Sequence, residues 1–340
     1  MMRMERKILV SAFCACVISL LCSCGGPEGL ESTLEMSADK TLVMVGDKVT
    51  FTVKNAGVQN VSGSSAIKCQ QTGKYLSGYQ YEAVEAGEWT FVAEYDGMRS
   101  NEVTVTVQNP VVSRFVKHIC LMEFTGQWCA MCPEGATIIN YYANKIYPDR
   151  LHVLAFHNQD DFEIPQESIL FNKFNPGAYP GYVVDMSYAG IVSNSQFSEH
   201  LNSADKTLNL HCGVAVSSSV SDGKATVTAK VYSELGSKYR LAVYVLEDKI
   251  VAKQNVSGSY NDNYTHRHVV RQMISASVDG DDMGWIDADA EKSKEYSIAL
   301  DSSWNQENLE VCVLVIGEDG TVNNTASCLL AGGTADYDRK

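Results

Sequence analysis

The chain has 340 residues, and its 41 Asp and Glu outnumber its 27 Lys and Arg, for a net charge of −14 with histidine neutral. That excess of negative charge argues against binding to nucleic acid and against electrostatic attachment to anionic lipid. The length suits two or three domains.

The chain opens on a leader. Arg3, Arg6 and Lys7 form a positive end, and Ile8 to Leu21 is an apolar run too short for a comfortable membrane span but right for an export signal. It ends in Leu21-Cys22-Ser23-Cys24, which resembles the lipobox of bacterial lipoproteins. The resemblance implies that residues 1–23 are removed and that Cys24 is acylated as the first mature residue. Residues 24–29, with Gly25-Gly26-Pro27, then form a flexible lipidated tether. An ordinary signal peptide cut nearby is the alternative. Residue 25 is Gly rather than Asp, so the retention residue of many Gram-negative inner-membrane lipoproteins is missing. Several acyl chains anchor a protein stably. The expected location is the outer membrane, on its periplasmic or its outer face.

Residues 30–109 read as all-β. Val49 to Val53 and Val103 to Val107 alternate strictly, and Trp89 to Tyr95 offers two usable faces. Gly46-Asp47, Asn55-Ala56-Gly57, Gly73, Ala86-Gly87 and Asp96-Gly97 supply the turns. Short strands at this spacing predict an immunoglobulin-like β-sandwich, and the run from Glu85 to Phe91 with Ser100 to Val103 resembles the end of a bacterial Ig-like domain. The segment carries no catalytic constellation and suits a spacer; a ligand-binding module is the alternative.

Asn109-Pro110 marks a boundary, and residues 111–208 follow as an α/β domain. Ile119 to Phe124 is an apolar run of strand length. The motif Trp128-Cys129-Ala130-Met131-Cys132-Pro133 comes next, and then Ala136, Ile139, Ala143 and Ile146 at helical spacing. Leu151 to Phe156 is apolar without alternation, as in a strand covered on both faces. Gln166 to Phe174 suffices for a short helix, and a last helix opens near Ser193 and runs to about Lys206. Residues 211–332 return to β as a second sandwich. Ala225 to Val231 alternates, whereas Leu241 to Leu246 and Val311 to Ile316 are continuous apolar strands. A loose tail, 333–340, ends the chain.

The chemistry centres on Cys129 and Cys132. A strand, a turn carrying Cys-x-x-Cys and a helix form a redox arrangement, and the mature chain has no second such pair to complete a zinc ribbon. A thiol attacks a disulfide as thiolate. Cys129 at a helix N-terminus has its negative sulfur favoured by unpaired N–H groups and the helix dipole. Cys132, one turn in, is the resolving thiol, and Trp128 covers one side. Pro133 lacks an N–H where none is needed. Glu123, six residues before Cys129 on the preceding strand, is placed to take and return the Cys132 proton.

The segment from Leu121 to Cys132 resembles the active site of the thioredoxin superfamily, nearest to protein disulfide isomerase in having Glu at the buried acid position. The resemblance implies that Cys129 is the nucleophile, Cys132 the resolving cysteine and Glu123 the proton shuttle. Tyr179-Pro180 matches that family's cis-proline, which shapes the substrate groove with Trp128 and keeps metal from the thiols. Ala130-Met131 has neither the Gly-Pro of reducing members nor the histidine of oxidising ones, so the direction of electron flow stays open. The whole chain, with Tyr264 to Arg271 as its C-terminal match, resembles the Omp-twenty-eight-type outer membrane lipoproteins.

Two readings follow. In the first the protein is an enzyme, a lipid-anchored thiol–disulfide oxidoreductase acting on exported protein thiols or on a redox partner protein. It needs no cofactor beyond its own redox-active disulfide. In the second it is a surface binding or adhesion lipoprotein in which Cys129–Cys132 is a static bridge. A metal chaperone is disfavoured by Pro180 and by missing ligands, although His266 and His268 would share a face on a strand. His157, ending the second strand of the α/β segment, borders the site or is a plain loop residue. Beyond the motif, the leader and Cys24, five cysteines remain: Cys69, Cys120, Cys212, Cys312 and Cys328. Cys120 reads as a buried core thiol, and one structural disulfide is expected among Cys212, Cys312 and Cys328.

Overall fold

The strictly alternating segments of the N-terminal region form half-buried strands. In Lys48–Asn55 the side chains of Val49, Phe51 and Val53 turn inward, and in Val103–Gln108 those of Val103, Val105 and Val107 do. The structure is a computed structural model that describes residues 33–109, 112–192, 195–207 and 209–340. The expected signal peptide, Cys24 and the tether lie outside the described residues, as does Pro110. The fold is mostly β-sheet with few helices.

The described residues up to Gln108 form one compact unit. Its described part has a four-stranded sheet around Lys48–Asn55 and a five-stranded sheet around Gly87–Tyr95 and Val103–Gln108. Both sheets send side chains into one core, where the Phe51 and Phe91 rings lie 4.9 Å apart.

Residues 109–340 form a second compact unit. Its elements are β1 (Ile119–Thr125), α1 (Cys132–Tyr141), β2 (Leu151–His157), α2 (Gln166–Phe174), β3 (Gly181–Val184), β4 (Tyr188–Ile191) and α3 (Gln196–Asp205). They continue as β5 (Cys212–Ser221), β6 (Lys224–Ser233), β7 (Ser237–Glu247), β8 (Ile250–Val256), β9 (Ser259–His266) and β10 (Val269–Met273). The last are β11 (Asp281–Ile286), β12 (Ala290–Ala299), β13 (Leu309–Ile316), β14 (Val322–Leu329) and β15 (Thr334–Ala335).

One nine-stranded sheet runs β4-β3-β1-β2-β10-β7-β13-β14, with β11 added beside β7. In it β1 and β2 are parallel over seven residue pairs, from Ile119–Leu151 to Thr125–His157. The segments 111–208 and 211–332, expected as separate domains, therefore share a sheet within one unit; the join is the parallel contact of Ala155 with Val269. The packing gives the reason. Along β7, Leu241, Val243 and Val245 enter a core shared with the four-stranded sheet β12-β6-β5-β15. Ala242, Tyr244 and Leu246, on the opposite face, pack with Phe124 and Phe156 of β1 and β2. The continuous apolar run marks a strand buried on both faces.

Two smaller expectations are corrected. The tail is docked: β15 pairs with β5, and the Val116 N–H donates to the Asp338 carbonyl at 3.0 Å. Cys69, Cys120, Cys212, Cys312 and Cys328 are all buried free thiols, so the disulfide expected among the last three is not formed. Cys312 faces the core of β1 and β2, whereas Cys212 and Cys328 lie in the core on the other side of the sheet.

Candidate functional site

The site is built where β1 ends. All seven residues of β1 are buried, because both faces of the strand are covered. The chain then turns through Gly126 to Met131 into α1, whose N-terminus has Met131 as cap residue with no side-chain cap bond. Cys129 and Cys132 are joined in a disulfide across this turn, and Pro133 occupies the first turn of the helix. The sulfur-bearing residues are well covered, at 5% and 2% exposure, beside an open Trp128 at 41%.

Glu123 lies beneath the turn. Burial pushes its carboxyl up to about 7, and among the described residues its Oε1 has no hydrogen-bond partner. Glu123, Cys132, Ala155, His157, Tyr264 and His266 line one cavity of about 30 Å³, room for about one water. A carboxyl oxygen without a partner, in the cavity that Cys132 also lines and titrating at about 7, is able to take up or release a proton there.

The other flank is set by the Tyr179–Pro180 bond, which is cis. Tyr179 packs edge-on against Trp128, with ring centroids 5.5 Å apart, and stacks on Phe171 at 4.7 Å. Its hydroxyl donates to Oε1 of the fully buried Glu167 at 2.5 Å. The second Glu167 oxygen accepts from Asn158 Nδ2, and the Asn158 carbonyl accepts from Trp128 Nε1 at 2.7 Å. Trp128 and Tyr179 thus form one wall next to Cys129, held through Glu167 and Asn158, while the Pro180 ring lies against Gly135 of α1.

His157 does border the site. It is buried, its Nδ1 lies 2.7 Å from Asp160 Oδ2, and that oxygen also accepts the Gln127 N–H at 2.7 Å. His266 and His268 do not lie on one strand, since β9 ends at His266, although both line the cavity; His266 packs on His157 and Phe162, with ring centroids 5.3 and 5.2 Å away. His268 takes a left-handed φ of 53° and turns the chain into β10. Burial, with His157 nearby, pulls the His266 imidazole down to about 4.

The sequence reading missed the cover. The hairpin of β8 and β9 stands over the turn, and Gln254, 2% exposed, donates from Nε2 to the Gly126 and Cys129 carbonyls at 3.2 and 3.0 Å. Glu167, Asn158 and Asp160 were also missed, since isolated polar residues in a long connection carry no signal of burial.

In fold, the chain is similar to HBP35 of Porphyromonas gingivalis, at 20% identity and a TM-score of 0.56, with 66% of this chain and 80% of that one covered. A protein of Agrobacterium tumefaciens is matched over 67% of this chain and 100% of its own, at 13% identity and a TM-score of 0.43. No curated protein matches. Residues 167–330, from α2 to the end of β14 and therefore beyond the cysteine motif, match the family model described as outer membrane protein Omp28.

Proposed function

We propose that the protein is a lipid-anchored outer-membrane thiol–disulfide oxidoreductase acting on exported proteins through Cys129 and Cys132. The observation that carries this reading is Glu123, buried, unpaired at Oε1 and pushed up to about 7 in the cavity that Cys132 lines. The order β1, motif, α1 and parallel β2, with Tyr179–Pro180 ahead of the antiparallel β3, supports reading residues 111–208 as a thioredoxin-like unit. Residues 30–109 act as an Ig-like spacer between that unit and acylated Cys24. The Omp28 match supports the outer-membrane location.

In the reducing direction, the Cys129 thiolate attacks one sulfur of a substrate disulfide and the other sulfur leaves as thiolate. Glu123 takes the proton of Cys132, whose sulfur then attacks Cys129 Sγ and expels the substrate as a dithiol. Two electrons pass to the substrate and the Cys129–Cys132 disulfide forms. The oxidising direction runs the same steps backwards. Replacing Cys132 by Ala traps a mixed disulfide on Cys129, whereas replacing Cys129 traps none. A protein that neither reduces nor oxidises a model disulfide at any redox poise overturns the reading.

The second reading, a surface binding or adhesion protein with a static bridge, is favoured by the burial of Cys129 and Cys132. A reduction potential below about −300 mV, with Cys129 inert to alkylation after mild reduction, selects it.

A further inference from the structure

Five consecutive carbonyls of the redox turn, Gly126 to Ala130, each accept a hydrogen bond from one short stretch of the β8–β9 hairpin. Gln254 Nε2 serves Gly126 and Cys129. The Asn255 N–H serves Gln127 at 2.7 Å, and Asn255 Nδ2 serves Trp128 at 3.1 Å. The Ser257 N–H serves Ala130 at 3.1 Å. Further along the hairpin, Tyr264, Thr265 and His266 line the cavity together with Glu123 and Cys132.

Apart from these bonds, the hairpin is held at its far end by His266, whose ring packs on His157 and Phe162. Among the described residues, strands β8 and β9 pair only with each other. None of their residues belongs to the described hydrophobic cores. Val251 and Tyr260 are exposed at 61% and 54%. An element fixed by hydrogen bonds, with little apolar burial, opens at lower free energy than the core around it.

We propose that the hairpin is a gate over the disulfide and that Gln254 is its latch, a positioning and access-determining residue. With the hairpin seated, Cys129 is only 5% exposed, and an incoming sulfur reaches it more readily once the turn is released. Exchange follows release of the five carbonyls. The gate rests on the redox reading only for what passes it; the closure itself is independent of turnover.

The test follows reduction of the Cys129–Cys132 bond in the full chain by excess dithiothreitol, sampled by alkylation. Dithiothreitol supplies two electrons and two protons, becomes a cyclic disulfide and leaves two thiols. Gln254→Leu keeps the bulk and removes both donors. We expect reduction about tenfold faster or more, with faster hydrogen exchange at the Asn255 and Ser257 amides. Asn255→Ala, which frees the Trp128 carbonyl, shifts both readouts the same way and stands in if Gln254→Leu misfolds. Folded variants whose disulfide is reduced at the wild-type rate overturn the gate. If reduction accelerates but no protein disulfide is ever exchanged, the gate holds and the oxidoreductase reading fails. If wild type turns over protein disulfides while the variants show no acceleration, the reverse is true.

Discussion

A Cβ added to Gly135 would stand 2.7 Å from Cγ of Pro180. Helix α1 therefore rests directly on the proline ring, with no room for even a methyl group, and this contact sets the distance between the disulfide turn and the Tyr179–Pro180 wall. Gly135→Ala forces the helix and the loop apart. The expected cost is about 1–3 kcal/mol, as for other overpacked cores, read as a lower urea midpoint, together with slower exchange at Cys129. An alanine variant with wild-type stability and exchange would show that the contact yields at no cost.

Glu123 makes stability depend on pH in an unusual direction. Its carboxyl keeps its proton up to about pH 7 in the folded chain, against 4.5 for the ordinary group, because it is buried. Between those values the folded state holds a proton that the unfolded state has lost. Stability is therefore fully present below pH 4.5 and falls as pH rises through 7, by about 3 kcal/mol in all. Glu123→Gln removes this fall and is the more stable protein at pH 8, while its exchange rate drops for want of a proton acceptor at Cys132. Urea denaturation between pH 4.5 and 8 checks the first effect; a variant with the wild-type slope refutes it.

Two histidines act with the opposite sign. Burial pulls His152 down to about 3, with His118 adding to the effect, and pulls His266 down to about 4. His152 is fixed between His118 Nδ1 at 2.9 Å and Ser327 Oγ at 2.8 Å. Both rings stay neutral in the folded chain at pH values where the unfolded chain has taken up protons, below 6.5. Their contribution is present above pH 6.5 and is lost as pH falls towards 4. Glu123 masks part of this. In the Glu123→Gln background, stability rises with pH between about 4 and 6.5, and His266→Gln reduces that slope. An unchanged slope would remove His266 from the account.

How far these features were legible differs residue by residue. Val49, Phe51 and Val53 alternate with polar neighbours, so their strand is readable from its period alone. The helix at Gln166–Phe174 and the inward Phe197 and Leu201 of α3 are readable in the same way. The run Leu241 to Leu246 announces a strand covered on both sides but does not say by what. The second cover is β1 and β2, and the boundary expected between 208 and 211 is in fact bridged by a shared sheet. Cys129, Cys132 and Glu123 are legible because their spacing is local. Gln254 is not: it lies 125 positions beyond Cys129 in a hairpin of polar residues, and only the fold brings its amide to the turn. For His266 and His268 period-two reasoning assumes an unbroken strand, whereas β9 ends at His266 and the chain turns at His268; the cavity both residues line is made by the turn and not by a strand face.

The Lys117–Asp185 pair supplies the last prediction. Lys117 Nζ and Asp185 Oδ2 are 2.8 Å apart, with side chains only 4% and 7% exposed. Burial pushes the Asp185 carboxyl up, while Lys117 and the Cys120 N–H pull it back. The same ammonium donates to the Val322 and Asn323 carbonyls at 3.2 and 3.1 Å, so it ties the edge of β1 to β14. Asp185→Ala leaves a buried cation without its counter-charge, and the expected loss is about 3–5 kcal/mol. Replacing both partners with apolar residues, Lys117→Met with Asp185→Leu, removes the unpaired charge along with the attraction and recovers most of that loss. Two carbonyls then lose their donor and the buried Cys120 N–H loses its acceptor, which keeps the double variant below wild type by about 1–3 kcal/mol. A double-mutant cycle by urea unfolding measures the coupling. An Asp185→Ala protein within about 1 kcal/mol of wild type would mean that water reaches Lys117 and that the pair does not join the cysteine-bearing strand to the C-terminal sheet.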